Sequence, residues 1–216
     1  ISNLNKKYTL NNKESIEIIN NINFKLRSNS KISIVGPSGS GKTTFLNILG
    51  LLDKQFEGTY LFNNKNIITY SEKETNLIRG SSFGFIHQFF HLIPELTVIE
   101  NVMLPALINK NERDIYHKSK NLLEEFGLEN RIEYKPIKLS GGEQQRVAIA
   151  RSFINNPDII LADEMTGNLD EDTANNIFKY FINYIEQNKK TLVYVTHNKN
   201  YALLADEVYY FKNKKI

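Results

Sequence analysis

The chain has 216 residues, enough for one domain or for one domain with an inserted lobe. A 41% hydrophobic and 11% aromatic content supplies a substantial core and excludes general disorder. With 27 basic and 24 acidic residues the net charge is +3, too small to point to nucleic acid, and the lack of cysteine excludes disulfides and thiol-bound metals.

The opening thirty-odd residues carry strand patterning. Ile22, Phe24 and Leu26 alternate with Asn23, Lys25 and Arg27 at the period of a half-buried strand. Ile32 to Val35 reads as a short buried strand running into a glycine-rich turn, and Thr44 to Leu52 as the helix that follows. Asn63-Asn64 between apolar runs predicts a hairpin over Gly58 to Ile68. Phe83 to Ile86 is a further strand. The pattern then turns helical: Val98 to Ile108 is largely apolar, with Pro105 expected to kink or interrupt it. Ile115, Ser119, Leu122, Leu123 and Phe126 share one helical face, closed by Gly127. A helical insert over about residues 90–138 is therefore expected.

From residue 139 the order is helix, strand, helix, strand. Ile159 to Ala162 and Leu192 to Val195 are buried strands, and Ala174, Ile177, Phe178, Phe181, Ile182 and Ile185 form a core-facing helical stripe. Alternating strands and helices imply an α/β fold with a mostly parallel sheet and helices on both faces. No internal repeat or linker is visible, so residues 1–216 are expected to form a single domain. The longest apolar stretch, Phe45 to Leu52, is interrupted by Asn47 and Gly50 and falls far short of the roughly 20 residues of a membrane helix. Direct insertion into a bilayer is not expected. Lys6, Lys7, Lys212, Lys214 and Lys215 read as solvated tails, and no signal-peptide pattern follows Ile1.

Chemistry concentrates at three places. Gly36-Pro37-Ser38-Gly39-Ser40-Gly41-Lys42-Thr43, with Thr44 beginning the helix, has the spacing of a phosphate-binding loop between a strand and a helix. Glycines let backbone N–H groups wrap the phosphates, Lys42 reaches the β- and γ-phosphates, and the Thr43 hydroxyl ligates Mg²⁺. Asp163-Glu164 follows a buried strand, where ligands of open parallel sheets bind, so both acids are expected to face the same phosphates. Asp163 is the expected Mg²⁺ partner and Glu164 the general base that activates water. His197, just after another buried strand, is placed to donate to the γ-phosphate.

The third place is Leu139-Ser140-Gly141-Gly142-Glu143, which a simple phosphate pocket has no use for. With it the sequence resembles the ATP-binding cassette (ABC) ATPases over essentially its whole length. The resemblance implies a phosphate-loop ATPase fold with an N-terminal antiparallel β subdomain and an inserted α-helical subdomain. It implies ATP as substrate with Mg²⁺, and a head-to-tail homodimer in which Ser140, Gly141, Gly142 and their helix end complete the partner's site. Gln88 resembles the Q-loop glutamine that touches Mg²⁺, and Asn168-Leu169-Asp170 the D-loop that crosses the dimer seam. Tyr8 is the candidate for the aromatic residue stacked on adenine, core packing being the other reading.

Gly84 to Ile108 and Ala162 to Asp170 look like the branch of lipoprotein-releasing, macrolide-exporting and cell-division ATPases, with the greatest similarity to the lipoprotein-releasing members. That branch implies integral membrane permease subunits as partners and a peripheral position on the cytoplasmic face of the inner membrane. A related exporter or cell-division ATPase is the alternative within the class. A soluble ABC protein acting on DNA or ribosomes is a remoter one. Met165 where proline is usual, His87 before Gln88, and Glu143 in place of a frequent glutamine are departures that leave every catalytic group present.

Overall fold

The computed structural model of the protein describes residues 1–9, 14–109 and 114–216. In chain order the strands and helices are β1 (Ser2–Thr9), β2 (Ser15–Ile22), β3 (Lys31–Val35), α1 (Lys42–Leu49), β4 (Glu57–Thr59), β5 (Leu61–Phe62) and β6 (Lys65–Asn66). They continue as α2 (Glu72–Ser82), β7 (Phe83–Ile86), α3 (Val98–Asn109), α4 (Ile115–Glu125), α5 (Gly141–Phe153), β8 (Ile159–Asp163) and α6 (Glu171–Gln187). The last are β9 (Thr191–Val195), α7 (Lys199–Ala202) and β10 (Glu207–Tyr210). These residues divide into two compact units, one of Ile1–Arg79 with Val193–Ile216, the other of Gly80–Leu192.

In the first unit an antiparallel sheet of order β2-β1-β4 carries the N-terminal residues. Its buried side is set by Leu4, Ile19 and Ile22. Lys6, read from sequence as part of a solvated tail, is instead buried in the same sheet, where its ammonium is neutralised by Asp53 at 2.8 Å with the Gln55 carbonyl as a second acceptor. Strands β3 and β10 pair in parallel, Ile32 opposite Glu207 through Val35 opposite Tyr210. Phe24, Phe45 and Phe211 pack edge-on and tilted between these elements, all nearly or fully inaccessible.

Two expectations are corrected here. The alternation of Ile22, Phe24 and Leu26 persists as alternating burial, yet β2 ends at Ile22. Beyond it Phe24 exchanges hydrogen bonds with Ile1 at 2.9 and 3.1 Å, a single bonded pair that is not continued into a ladder among the described residues. The hairpin is narrower than Gly58 to Ile68: β5 and β6 close around Asn63 and Asn64, both at positive φ, while β4 pairs with β1 instead.

In the second unit β7 and β8 pair in parallel, Phe83 opposite Ile159 through Ile86 opposite Ala162. Helices α3 and α4 pack against each other and against α5. Of the kink or interruption expected at Pro105, the interruption does not occur: helix α3 runs on through the proline. The proline forfeits one N–H, but its carbonyl still accepts from Asn155 at 3.3 Å and the buried Val98, Ile99, Val102 and Ala106 hold the helix down. Between residues 90 and 138 the described elements are helical, and residues 110–113 lie outside the description. Helix α6 buries Ala174, Ile177, Phe178, Phe181, Ile182 and Ile185, the stripe read from sequence. Among the described residues no helix is long and apolar enough to cross a membrane.

Phe181 is fully inaccessible, its ring 6.4 Å from that of Phe153. Phe181→Ala is expected to destabilise the protein by about 3–5 kcal/mol in urea unfolding. A loss below about 1 kcal/mol would mean that the stripe is not core.

Candidate nucleotide-hydrolysis site

In the first unit β3 delivers the chain into the loop from Gly36 to Gly41, and α1 begins at Lys42. A Cβ at Gly36 would collide with the Phe211 carbonyl oxygen, so only glycine lets the loop leave the strand there. Gly41 sits at φ 109°, beyond the range of L side chains, and a Cβ there would meet the Ile18 side chain at 2.9 Å. The Lys42 ammonium is buried and donates to the carbonyls of Gly36 at 2.9 Å and Pro37 at 2.8 Å. The lysine thus lies across the loop that it belongs to. The Ser40 hydroxyl oxygen is buried with no hydrogen-bond partner, an orphaned polar group of the kind a phosphate oxygen satisfies. Pro37, Ser38, Gly39 and Thr43 are exposed, and Thr44 is half-buried.

His197 arrives in the same unit. Strand β9 ends beside β3, where the Thr196 N–H donates to the Ile34 carbonyl at 3.3 Å. His197 is therefore one residue past a point hydrogen-bonded two residues before Gly36, and it is exposed. Asn198 then caps α7, and the Thr196 hydroxyl accepts from the Asn198 N–H at 3.1 Å. Tyr8 is set on β1: its hydroxyl donates to Asp53 at 3.2 Å, and the Lys6 ammonium stands 4.5 Å from the ring centroid. Its ring lies on the wall of a cavity of about 660 Å³ shared with Leu51, Leu52 and Arg79.

The second unit carries the acids. The β7–β8 register places His87 and Gln88 just beyond Ile86, beside Asp163 and Glu164 just beyond Ala162. Glu164 stands at φ 45°, a left-handed conformation uncommon for a residue with a Cβ. Its carbonyl accepts from the Gly167 N–H at 2.9 Å, closing the turn, and Met165 is buried beneath it. Gln88 and Asn168 are tied reciprocally: the Asn168 amide donates to the Gln88 carbonyl at 2.9 Å, and the Gln88 amide to Asn168 Oδ1 at 3.5 Å. Burial holds the His87 imidazole below its usual pKa, helped by His91 and Arg151 and opposed by the Asp163 carboxylate. The ring stacks on Phe85 at 6.2 Å.

Ser140 is the N-cap of α5. Its hydroxyl accepts from the Glu143 N–H at 3.2 Å, while Glu143 accepts from the Ser140 N–H at 2.8 Å, a complete capping box. Ser140 and Gly141 are exposed at this end and Gly142 is buried. Asp170 caps α6 by accepting from the Thr173 N–H at 2.9 Å, so one of its oxygens is already committed. In the second unit Gln88 and Asp163 offer amide and carboxylate oxygens, and in the first Thr43 offers a hydroxyl; each is a hard oxygen donor of the kind Mg²⁺ takes.

Sequence reading missed three groups. Arg151 on α5 grips the carbonyls of Phe90 at 2.7 Å and His91 at 2.6 Å, pinning the segment after Gln88. Asn101, fully buried, donates to Ile93 and Thr97 and accepts from the Ile93 N–H at 2.8 Å. Arg131 pairs with Glu143 at 2.8 Å. A buried asparagine inside an apolar helix was the one signal available for any of them.

A strand-to-helix loop closed over its own lysine is the phosphate site of nucleoside triphosphate hydrolases, and the acid-tipped strand and capped Ser-Gly-Gly helix narrow that class further. The family model described as ABC transporter matches residues 19–167, and the chain belongs to that family, as an ATP-hydrolysing cassette. The lipoprotein-releasing system ATP-binding protein LolD of Treponema denticola is 43% identical over 97% of this chain and 92% of its own length. The ABC transporter ATP-binding protein YvrO of Bacillus subtilis is 39% identical over 100% of this chain and 94% of its own. The dimeric structure of MJ0796, a bacterial ABC transporter cassette, matches at TM-score 0.90 and 39% identity, covering 100% of this chain and 94% of that one. The same cassette has a dimeric post-hydrolysis structure bound to ADP and Pi, also at TM-score 0.90.

Gly41→Ala is expected to distort the loop and weaken ATP binding by about tenfold or more, since a strained φ alone costs about 1–3 kcal/mol. Titration with a fluorescent ATP analogue measures it, and unchanged affinity would refute the cradle geometry. The helix caps make a pH prediction. The Ser140 N–H, and after it the Arg131 guanidinium, hold Glu143 below the usual carboxylate range, and the Thr173 N–H does the same for Asp170. Between the folded and unfolded pKa values the unfolded chain binds more protons, so this stability is whole above about pH 4.5 and is lost as pH falls through the folded values. Urea midpoints are expected to drop between about pH 5 and 3, and less steeply in Glu143→Gln.

Proposed function

We propose that the chain is the ATPase subunit of a membrane transport complex that releases lipoproteins from the inner membrane. The observation that carries this reading is the 43% identity to the LolD protein of Treponema denticola over nearly the whole of both chains. Residues 1–216 act as a single nucleotide-binding domain with a helical subdomain at about 90–138. It works as a homodimer at the cytoplasmic face of the membrane, bound peripherally to integral permease subunits that select the cargo.

In this reading backbone N–H groups of Gly36 to Thr44 and the start of α1 meet the phosphates, with Pro37, Ser38, Gly39 and Ser40 shaping the loop. Lys42 exchanges its loop carbonyls for β- and γ-phosphate oxygens. Tyr8 stacks on adenine with the face not covered by Lys6. Thr43, Asp163 and Gln88 hold Mg²⁺, which when bound neutralises phosphate charge. Glu164 takes the proton of the attacking water, and His197 donates to the γ-phosphate as charge accumulates there. Ser140, Gly141 and Gly142 present the α5 N-terminus to the partner's nucleotide, and Asp170 reaches across the seam beside it. Donors on both flanks suit a loose, charge-spread phosphoryl transition state.

Glu164→Gln is expected to keep ATP affinity within about threefold while lowering kcat by about 10²–10⁴, and to accumulate as a dimer with ATP in size exclusion. Only monomer under those conditions would overturn the two-copy reading. For the cargo, the purified permease complex in proteoliposomes is expected to release a lipoprotein to a soluble acceptor only with ATP and the active chain. Stimulated ATPase activity by another export substrate, with no lipoprotein release, would reassign the system.

A further inference from the structure

The α5 N-terminus carries an electrostatic contradiction. A helix end that is to meet a triphosphate gains from its positive dipole, yet the third helical residue is Glu143, a carboxylate within the first turn. The acid is useful locally, because Glu143 accepts from the Ser140 N–H at 2.8 Å and fixes the backbone of the exposed Ser-Gly-Gly segment. Its charge nevertheless opposes an incoming γ-phosphate. Arg131, in the turn between α4 and α5, answers both problems: its Nε donates to the other carboxylate oxygen, Glu143 Oε1, at 2.8 Å. The guanidinium also lies 5.2 Å from the Tyr134 ring centroid, which limits its swing.

We infer that Arg131 is a positioning residue for ATP hydrolysis, neutralising and orienting Glu143 so that Ser140 and its helix end face the nucleotide as a net positive surface. The inference rests on the proposed use of that helix end by a second copy of the chain. Arg131 itself touches no nucleotide in this account. It acts through Glu143, which in turn holds the Ser140 backbone. A neutral glutamine at 143 can accept the same Ser140 hydrogen bond without the charge and therefore has less need of the arginine.

The experiment uses the full chain with steady-state ATPase assays and ATP-driven dimerisation in the Glu164→Gln background. Arg131→Ala is expected to lower kcat about tenfold with KM for ATP changed less than about threefold, the loss of one charge-assisted hydrogen bond and its neutralisation. Arg131→Lys, which keeps charge but not the fork, falls between. The double variant Arg131→Ala/Glu143→Gln is expected to recover at least half the rate of Glu143→Gln alone. In Glu164→Gln/Arg131→Ala, about tenfold more ATP is needed for dimer at unchanged monomer affinity for a fluorescent analogue. Arg131→Ala with wild-type kcat, or a double variant as impaired as Arg131→Ala, overturns the inference. Arg131 is part-exposed, and Arg131→Lys reads the same ordering should the alanine variant prove unstable. Failure of Glu164→Gln alone to dimerise refutes the two-copy reading instead, so the two failures are told apart.

Discussion

A triphosphate can be held by backbone N–H groups only where the chain comes close without side chains in the way and with a helix dipole behind it. Gly36 meets that constraint by leaving β3 against the Phe211 carbonyl, and Gly41 by taking φ 109° just before α1. Phe211 is itself buried, and its N–H donates to the Val35 carbonyl at 2.7 Å. The loop is therefore braced by the strand that ends the chain's sheet pairing as well as by the one that precedes it. Lys42 supplies the complementary charge from within, resting on two loop carbonyls. The ordering cost of the loop is met by folding, which leaves the binding step less to organise.

The acids depend on a comparable economy of geometry. Parallel pairing of β7 and β8 brings the residue pairs after Ile86 and Ala162 to one edge, and the Asn168 amide then ties the return turn to Gln88. Arg151 secures the segment beyond Gln88 from the signature helix, so α5 contacts both its own cap and the chain that follows the glutamine. Met165 is buried in a turn closed by the Glu164 carbonyl and fills its position without a rigid ring. Packing and a hydrogen bond define the turn where proline would have defined it by covalent constraint.

Much of this was legible in the sequence because period and burial agree. The α6 stripe was readable residue by residue, since a helix with one face on the core leaves a 3.6-residue trace. Helix α2 was not, because Thr75 is its one buried residue and its start is marked just by Ser71 and Glu74 capping each other. The overlong strand through Leu26 shows the limit of alternation: burial can alternate along a segment whose one bonded pair, Phe24 with Ile1, does not extend into a ladder. Phosphate-loop and signature residues were legible from fixed spacing. The Arg131–Glu143 pair was not, since an ion pair spanning 12 positions through a turn leaves no periodic mark.

The left-handed backbone at Glu164 has a consequence for how such a protein can be stabilised. Holding a branched-off side chain at φ 45° stores about 1–3 kcal/mol. Glycine there would relax the turn while deleting the carboxylate. With Glu164 as the proposed general base, selection for heat tolerance and selection for turnover pull in opposite directions at this one position, and a library sorted only on melting temperature would drift away from that carboxylate.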